Sequence, residues 1–291
     1  MRDFKIFIVI VFFTLATYWG VEPFAHSQMH PHVEPADFKF NDLNVTTEGV
    51  AGNVENGAAL VAANCIACHA IEKAGFPATM DNSSAAASYG VVPPDLSTAG
   101  ALYDAKFLSA FIADPATATK TAHKYVDGKV HPMPSYNWMQ PQELADMVAY
   151  LQSIAPKTLT NKEVYQNACQ RCHSIKYGDM TGGTMVAFTP AENIKAYMGK
   201  MPPDLSQYIK SRGEHYLETF INNPQKHLEG TAMPRVGLNE NAQKQVISYM
   251  EEVGDRKKDE RNGLGPIFLA YLAVFAIVAW LWKNKIWREV H

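Results

Sequence analysis

All four cysteines of the 291-residue chain lie in two short motifs, CIACH at residues 65–69 and CQRCH at residues 169–173. Each motif has two cysteines separated by two residues, with a histidine directly after the second. Four kinds of chemistry use cysteines in such patterns: structural disulfides, a four-cysteine zinc site, a redox-active dithiol, and covalent attachment of c-type haem.

The spacing of the motifs favours haem attachment. A disulfide within one motif would close a very short loop and would restrict the unfolded chain little. A zinc site would need two knuckles that lie in different halves of this chain, and a redox dithiol does not need the histidine. In haem attachment the thiols bind the vinyl groups and the imidazole binds the iron. The motifs therefore predict two covalent haems, attached through Cys65, Cys68, Cys169 and Cys172, with His69 and His173 as axial ligands.

The same series of short elements follows each motif, so the chain contains an internal repeat. PPDL, FI-x-x-P and Met-Pro occur in that order in both halves, and an apolar-periodic segment closes each copy. Apolar residues three and four positions apart predict helices. The repeat predicts an all-α protein with tandem domains at 48–155 and 160–255.

The second axial ligand of each haem could be methionine or histidine, and a thioether would raise the reduction potential. Met133 and Met233 are the methionines that recur at one place in the repeat, each before a proline. Met201 also precedes a proline, but the first copy has Val92 there. His131 is the competing residue for the first haem. We therefore expect Met133 and Met233 to bind the irons.

Both ends of the chain are apolar. Residues 264–282 carry no charge over 19 positions, and as a helix they would span about 28 Å, the thickness of a bilayer core. Two tryptophans near the end of this run and the basic residues after it predict a transmembrane helix. Residues 1–21 predict a second anchor or signal-anchor, since the sequence after them is a poor cleavage site.

The charge pattern predicts which parts of the chain are exported. Basic residues at both termini place the chain ends on the cytoplasmic side and residues 22–262 outside it. Residues 22–47 are expected to form an extended arm, and residues 81–90 a polar loop. The net charge of −3 favours no nucleic-acid partner. Arg171, Arg212 and Arg235 could each hold a haem propionate or lie on the surface.

Taken together, the two halves resemble tandem class I cytochrome c domains. In that family a proline carbonyl accepts a hydrogen bond from the axial histidine, and Pro94 and Pro203 match that position. The family often has glycine where the first and last helices cross. The first copy has Gly57 at that position, whereas the second has Asn161.

Residues 160–291 are similar to cytochrome c1, the haem subunit of quinol–cytochrome c reductase (the bc1 complex). The similarity rests on CQRCHS, MPPDLS, RGEHY, Met-Pro and a single C-terminal membrane helix. Two features depart from that family, a short stretch before Met233 and an additional haem domain in front. A diheme c1-like subunit of a bacterial bc1-type complex would accommodate both.

This resemblance implies an electron-transfer subunit rather than a catalyst by itself. Its partners would be a Rieske iron–sulfur protein, a cytochrome b subunit, and a soluble cytochrome c or terminal oxidase. It would lie in the bacterial cytoplasmic membrane with its haem domains in the periplasm. One alternative is the diheme subunit of a high-affinity terminal oxidase, where the anchor is expected before the haem domains. Another is a diheme peroxidase, which needs one open or histidine-ligated haem.

Overall fold

The structure, a computed structural model, describes residues 2–29, 34–44 and 47–288. Within these ranges the regular secondary structure is helical, and β pairing is limited to three isolated bridges. The predicted all-α fold is confirmed. The helices are α1 (Arg2–Ala16), α2 (Glu22–Met29), α3 (Val54–Asn64), α4 (Asn82–Tyr89), α5 (Ala99–Leu102), α6 (Ala105–Ala113), α7 (Pro115–Ala118), α8 (Pro141–Ile154), α9 (Asn161–Ala168), α10 (Thr184–Phe188), α11 (Ala191–Met198), α12 (Tyr208–Arg212), α13 (Glu214–Asn222), α14 (Pro224–His227), α15 (Glu240–Gly254) and α16 (Lys258–Arg288).

In the N-terminal domain, α3 leads into the first cysteine motif and packs across α8. The Asn53 side chain accepts a hydrogen bond from the backbone of Asn56 and so begins α3. Gln140 and Glu143 form a reciprocal capping box at the start of α8. The apolar faces of the two helices meet in one buried core, to which they contribute Val61, Leu144, Met147, Val148 and Leu151.

The C-terminal domain repeats this arrangement with α9 and α15. Thr160 and Glu163 form a reciprocal capping box at the start of α9. The Asn239 side chain caps α15 by accepting from the backbone of Ala242. The apolar faces of these two helices are again buried together, and they include Val164, Tyr165, Val246, Tyr249, Met250 and Val253.

The crossing of the two main helices explains the difference between Gly57 and Asn161. A Cβ atom at Gly57 would lie 1.9 Å from the carbonyl oxygen of Asp146 in α8, so a side chain would force the helices apart. Asn161 is the first residue of the shorter helix α9, and its side chain donates to Glu252 of α15 at 2.6 Å. The second crossing therefore has room for a side chain at this position, whereas the first does not.

Replacing Gly57 with alanine is therefore expected to destabilise the protein by about 2 kcal/mol, the usual cost of overpacking a core. Thermal unfolding of the purified variant measures the change. Gly263→Ala is the matched control, because no atom lies within 4 Å of a Cβ built there. If Gly57→Ala were as stable as the parent protein, α3 and α8 would not be in such close contact.

The two domains share a tight interface. Tyr103 and Leu238 form an isolated β-bridge, and the backbone N–H of Asp104 donates to Gly237 at 3.0 Å. The Phe107 ring packs directly on Gly237, where an added Cβ would lie 2.0 Å from the ring. The backbone of Gly237 also has a φ of +74°, which glycine adopts without strain. Glycine is therefore required here both by the backbone conformation and by the close contact with the ring. This contact fixes the chain just after the second Met-Pro element against the first domain.

Residues 34–44 cross the seam between the domains. The backbone N–H of Asp37 donates to Asn222 of the C-terminal domain at 3.0 Å. Phe40 is fully buried and packs on Phe107 of the N-terminal domain, with ring centroids 5.6 Å apart. The arm therefore binds both domains at once.

The expectation of an extended arm over residues 22–47 is wrong in part. Residues Glu22–Met29 are helix α2, because the apolar N-terminal helix continues into them through a π-helical turn at Thr17–Val21. Residues 30–33, 45 and 46 lie outside the described residues.

Within the described residues, two helices are long and apolar enough to cross a membrane, by length and composition: Phe4–Met29 and Lys258–Arg288. Their large apolar side chains are exposed, as lipid-facing side chains would be. The predicted span 264–282 lies within α16, which is longer at both ends and includes Pro266.

The segment at residues 81–90 is helical, so the prediction of a loop is wrong. The Asp81 side chain accepts from the backbone of Ser83 and Ser84 and begins α4, and Gly90 ends it with a φ of +76°. The alanines between them are strong helix formers. Helix α4 contacts α10 of the C-terminal domain.

Candidate haem-binding sites

Both cysteine motifs fold into the same tight turn at the end of a helix. In the first, the backbone N–H groups of Cys68 and His69 donate to the carbonyl of Cys65 at 3.1 and 2.9 Å. In the second, the N–H groups of Cys172 and His173 donate to Cys169 at 3.1 and 3.0 Å. None of the four cysteines forms a disulfide. The structure therefore presents two separate Cys/Cys/His groups of equivalent backbone geometry.

Each histidine is held by a proline carbonyl. Nδ1 of His69 lies 2.7 Å from the oxygen of Pro94, and Nδ1 of His173 lies 2.8 Å from that of Pro203. Because a carbonyl only accepts, Nδ1 carries the proton and Nε2 keeps its lone pair. Burial lowers the pKa of both imidazoles, although the proline contacts oppose that shift. Both rings are thus neutral and have one nitrogen available to bind a metal.

The proline loops are held in place by their own aspartates. The Asp95 carboxylate accepts from the backbone of Ser97 at 2.6 Å, and Asp204 accepts from the hydroxyl of Ser174 at 2.6 Å. Leu96 donates its backbone N–H to Ala70, directly after the first motif, at 2.9 Å. The PPDL element of each copy therefore fixes the carbonyl that orients the histidine.

The first cysteine of each motif is partly buried and packs against the apolar core of its domain. Burial raises the pKa of Cys65 to about 11 and that of Cys169 to about 12, with a smaller contribution from the neighbouring cysteine in each motif. A thiol that packs on apolar side chains beside a neutral imidazole fits attachment to an apolar porphyrin.

The loop that carries Met133 lies over the first motif. Tyr136, three residues further on, donates its hydroxyl to the carbonyl of Asn64 at 2.9 Å, and Asn64 directly precedes Cys65. His131 lies with its Nδ1 3.0 Å from the Met133 carbonyl oxygen and 3.1 Å from its backbone nitrogen. The competing ligand His131 is thus in contact with the backbone of Met133 and supports that loop.

The loop that carries Met233 is held by Arg235, which is only 1 % exposed. Its guanidinium donates to both carboxylate oxygens of Asp42 at 2.8 and 3.0 Å and to the Asn222 carbonyl at 3.0 Å. It also lies over the Phe40 ring, 4.6 Å from the centroid. Its backbone N–H donates to Thr119 of the N-terminal domain. Arg235 is therefore a structural residue that joins the arm, the Met233 loop and both domains.

Asp42 should make the protein acid-sensitive. Partial burial alone would raise the pKa of Asp42, but hydrogen bonds from Lys120 and Arg235 outweigh it and lower that pKa to about 2. A carboxylate with a lowered pKa stabilises the fold above its unfolded pKa, about 4. That stability is lost as the pH falls from about 4 to about 2.

Asp42→Asn should therefore lower the free energy of unfolding at pH 7, and the difference from the parent should shrink below pH 4. Denaturant unfolding at a series of pH values measures this. Asp127→Asn is the control, because Asp127 is exposed. A constant difference between Asp42→Asn and the parent across that range would contradict the assignment.

Several residues near the sites were not found by sequence reasoning. The sulfur of Met185 lies 3.7 Å from that of Cys172. The hydroxyls of Tyr125 and Tyr197 lie 2.7 Å apart and join the two domains. Burial raises the pKa of Tyr197 above its usual range. The repeat does not reveal these contacts because neither the Met185 contact nor the tyrosine pair recurs in both copies.

The other two arginines have different surroundings. Arg212 is exposed and lies over the Tyr216 ring, 5.3 Å from its centroid. Arg171, inside the second cysteine motif, donates from Nη2 to the carbonyl of Val92 in the N-terminal domain at 3.0 Å. Its Nε is buried and has no hydrogen-bond partner among the described residues.

Comparison with known proteins agrees with the repeat. The family model for cytochrome c matches residues 54–155 and again residues 161–254. No curated protein matches the sequence significantly. A solved structure described as "Hyperthermophilic respiratory Complex III" aligns with 98 % of this chain and 99 % of that chain, at 20 % identity and a TM-score of 0.34. The chain belongs to the cytochrome c family, with two tandem domains and two covalently attached c-type haems.

Proposed function

We propose that this chain is a membrane-anchored diheme electron carrier. The observation that carries the proposal is the repeated contact between a histidine Nδ1 and a proline carbonyl, at 2.7 and 2.8 Å, where the histidine directly follows a pair of cysteines. The residues that would hold the haems are Cys65, Cys68, His69, Pro94 and Met133 in the first domain and Cys169, Cys172, His173, Pro203 and Met233 in the second.

The chain's own residues tune and protect the cofactor. A bound haem supplies an iron that changes oxidation state by one electron. The proline carbonyls orient the imidazoles and make them more basic ligands. The thioethers of Met133 and Met233 favour the reduced state. The buried cores around the motifs limit water access, and no side chain needs to act as an acid or a base.

More specifically, we propose that the chain is a c1-like subunit of a bacterial bc1-type complex. The motifs of the second copy and the helix Lys258–Arg288 support this assignment. The C-terminal domain would face a Rieske iron–sulfur protein and the cytochrome b subunit. The N-terminal domain would face a soluble cytochrome c or a terminal oxidase. The basic residues at both chain ends support a periplasmic location for the haem domains.

Purification of the full chain from its native membrane in mild detergent tests the complex. We expect a Rieske protein and a cytochrome b to co-purify with the chain in constant proportion. Co-purification with a copper–haem oxidase and without cytochrome b would overturn the c1-like assignment and support the terminal-oxidase alternative.

The order of the two domains is tested in that purified complex with His69→Ala. We expect quinol to reduce the C-terminal haem in this variant, while reduction of the external acceptor is lost. His173→Ala is the matched variant, and there neither haem should be reduced by quinol. Full-rate reduction of the acceptor by His69→Ala would contradict the order.

A further inference from the structure

Arg171 lies between the two predicted haem sites. It is one residue before Cys172, so it belongs to the second attachment motif. Its Nη2 donates to the carbonyl of Val92 in the other domain at 3.0 Å. Val92 is two residues before Pro94, whose carbonyl holds Nδ1 of His69. A single side chain therefore joins the second attachment motif to the loop that orients the first axial histidine.

The described part of the chain provides no counter-ion for the charge of Arg171. The buried Nε of Arg171 donates to no acceptor among the described residues. Native proteins satisfy most buried donors, so an exception needs an explanation. A partly desolvated charge acts over a longer distance than an exposed one, because less water screens it.

The repeat shows that the attachment turn does not need this arginine. The first motif has Ala67 at the same position, and its backbone there accepts from the hydroxyl of Thr79 at 3.1 Å. Both motifs fold into the same turn with the same backbone hydrogen bonds. The turn itself therefore does not explain the arginine, whose recorded hydrogen bond is to Val92 of the other domain.

We propose that Arg171 sets the reduction potential of the N-terminal haem from the C-terminal domain, and with it the driving force for electron transfer between the two haems. A nearby positive charge opposes the extra positive charge of the ferric state and so raises the potential. This inference rests on the proposed function, since it requires two haems that exchange electrons.

Potentiometric titration of the full-length holoprotein tests it. Met133→His and Met233→His assign the two potentials, because each should lower only that of its own haem. In Arg171→Gln we expect the ferrous-to-ferric ratio of the N-terminal haem, at a fixed ambient potential, to fall about tenfold, which is 59 mV for a one-electron couple. In Arg171→Lys, which keeps the positive charge, the potential of the N-terminal haem should fall clearly less than in Arg171→Gln. Arg171→Met replaces the glutamine variant if the latter does not retain both haems.

Two controls separate charge from domain contact. Arg212→Gln removes the same charge from the exposed surface of the C-terminal domain. Thr98→Val removes a neutral hydrogen bond between the domains, from the Thr98 hydroxyl to Asn167 at 3.2 Å. Both should leave the two potentials unchanged. An unchanged potential of the N-terminal haem in Arg171→Gln, as in these controls, would overturn the inference. An equal fall of that potential in Arg171→Lys and Arg171→Gln would overturn it as well. A chain without two haems would instead overturn the proposed function.

Discussion

Replacing Met233 with histidine should lower the reduction potential of the C-terminal haem by on the order of 0.2 V, a part of the about 0.8 V that axial ligands span. Exchanging a thioether for an imidazole removes the ligand that favours the ferrous state. The far-red absorption band that sulfur–iron ligation gives in this family should fall to half. Redox titration followed by visible absorption measures both effects in one sample.

Met201→His is the matched control for that experiment. Met201 is also a half-buried methionine before a proline in the same domain, but it belongs to the loop that carries Pro203. Its replacement should leave the far-red band and both potentials unchanged. If Met201→His lost the band and Met233→His kept it, the assignment of the second axial ligand would be wrong.

Arg235→Ala should destabilise the protein by about 3 kcal/mol. The change removes hydrogen bonds from a buried charged donor and leaves the Asn222 carbonyl unpaired, each worth about 1–3 kcal/mol. Asp42 is about one-third exposed, so water can partly solvate it and the full cost of a buried unpaired charge does not apply. Denaturant unfolding of the holoprotein measures the loss.

Arg235→Ala should also weaken binding of the iron by Met233. The reason is that Arg235 connects the loop that carries Met233 to Asp42 of the arm and to Thr119 of the N-terminal domain. We expect a partial loss of the far-red band that is confined to the C-terminal haem. Arg212→Ala removes an exposed arginine and should change the stability by less than about 1 kcal/mol. Equal losses in the two variants would show that Arg235 does not hold the arm and the loop together.

The repeat and the apolar periodicity were sufficient to predict the two helical domains. Each copy places the capping residues and the apolar face within one short stretch of sequence, as at Thr160 to Glu163. These are local signals, so they need no knowledge of distant contacts. The same kind of signal was present for α4, where Asp81 and Gly90 flank an alanine-rich segment, but the polar composition led to the prediction of a loop.

The contacts between the domains could not be predicted in this way. Arg235 pairs with Asp42, 193 residues earlier in the chain, and no spacing rule links the two positions. The contact of Arg171 cannot be predicted from the sequence either, because its partner is a backbone carbonyl in the other domain. From the sequence alone, each of these arginines could lie on the surface or bind a haem propionate. The structure instead gives Arg235 a role in joining the domains, which is a property of the tertiary fold alone.

Peptide mass mapping of the purified full-length protein is the most direct test of the central claim, that each domain carries its own covalent haem. We expect one haem on the peptide that contains Cys65 and Cys68 and another on the peptide that contains Cys169 and Cys172. Unmodified cysteines in either peptide of the native protein would contradict it.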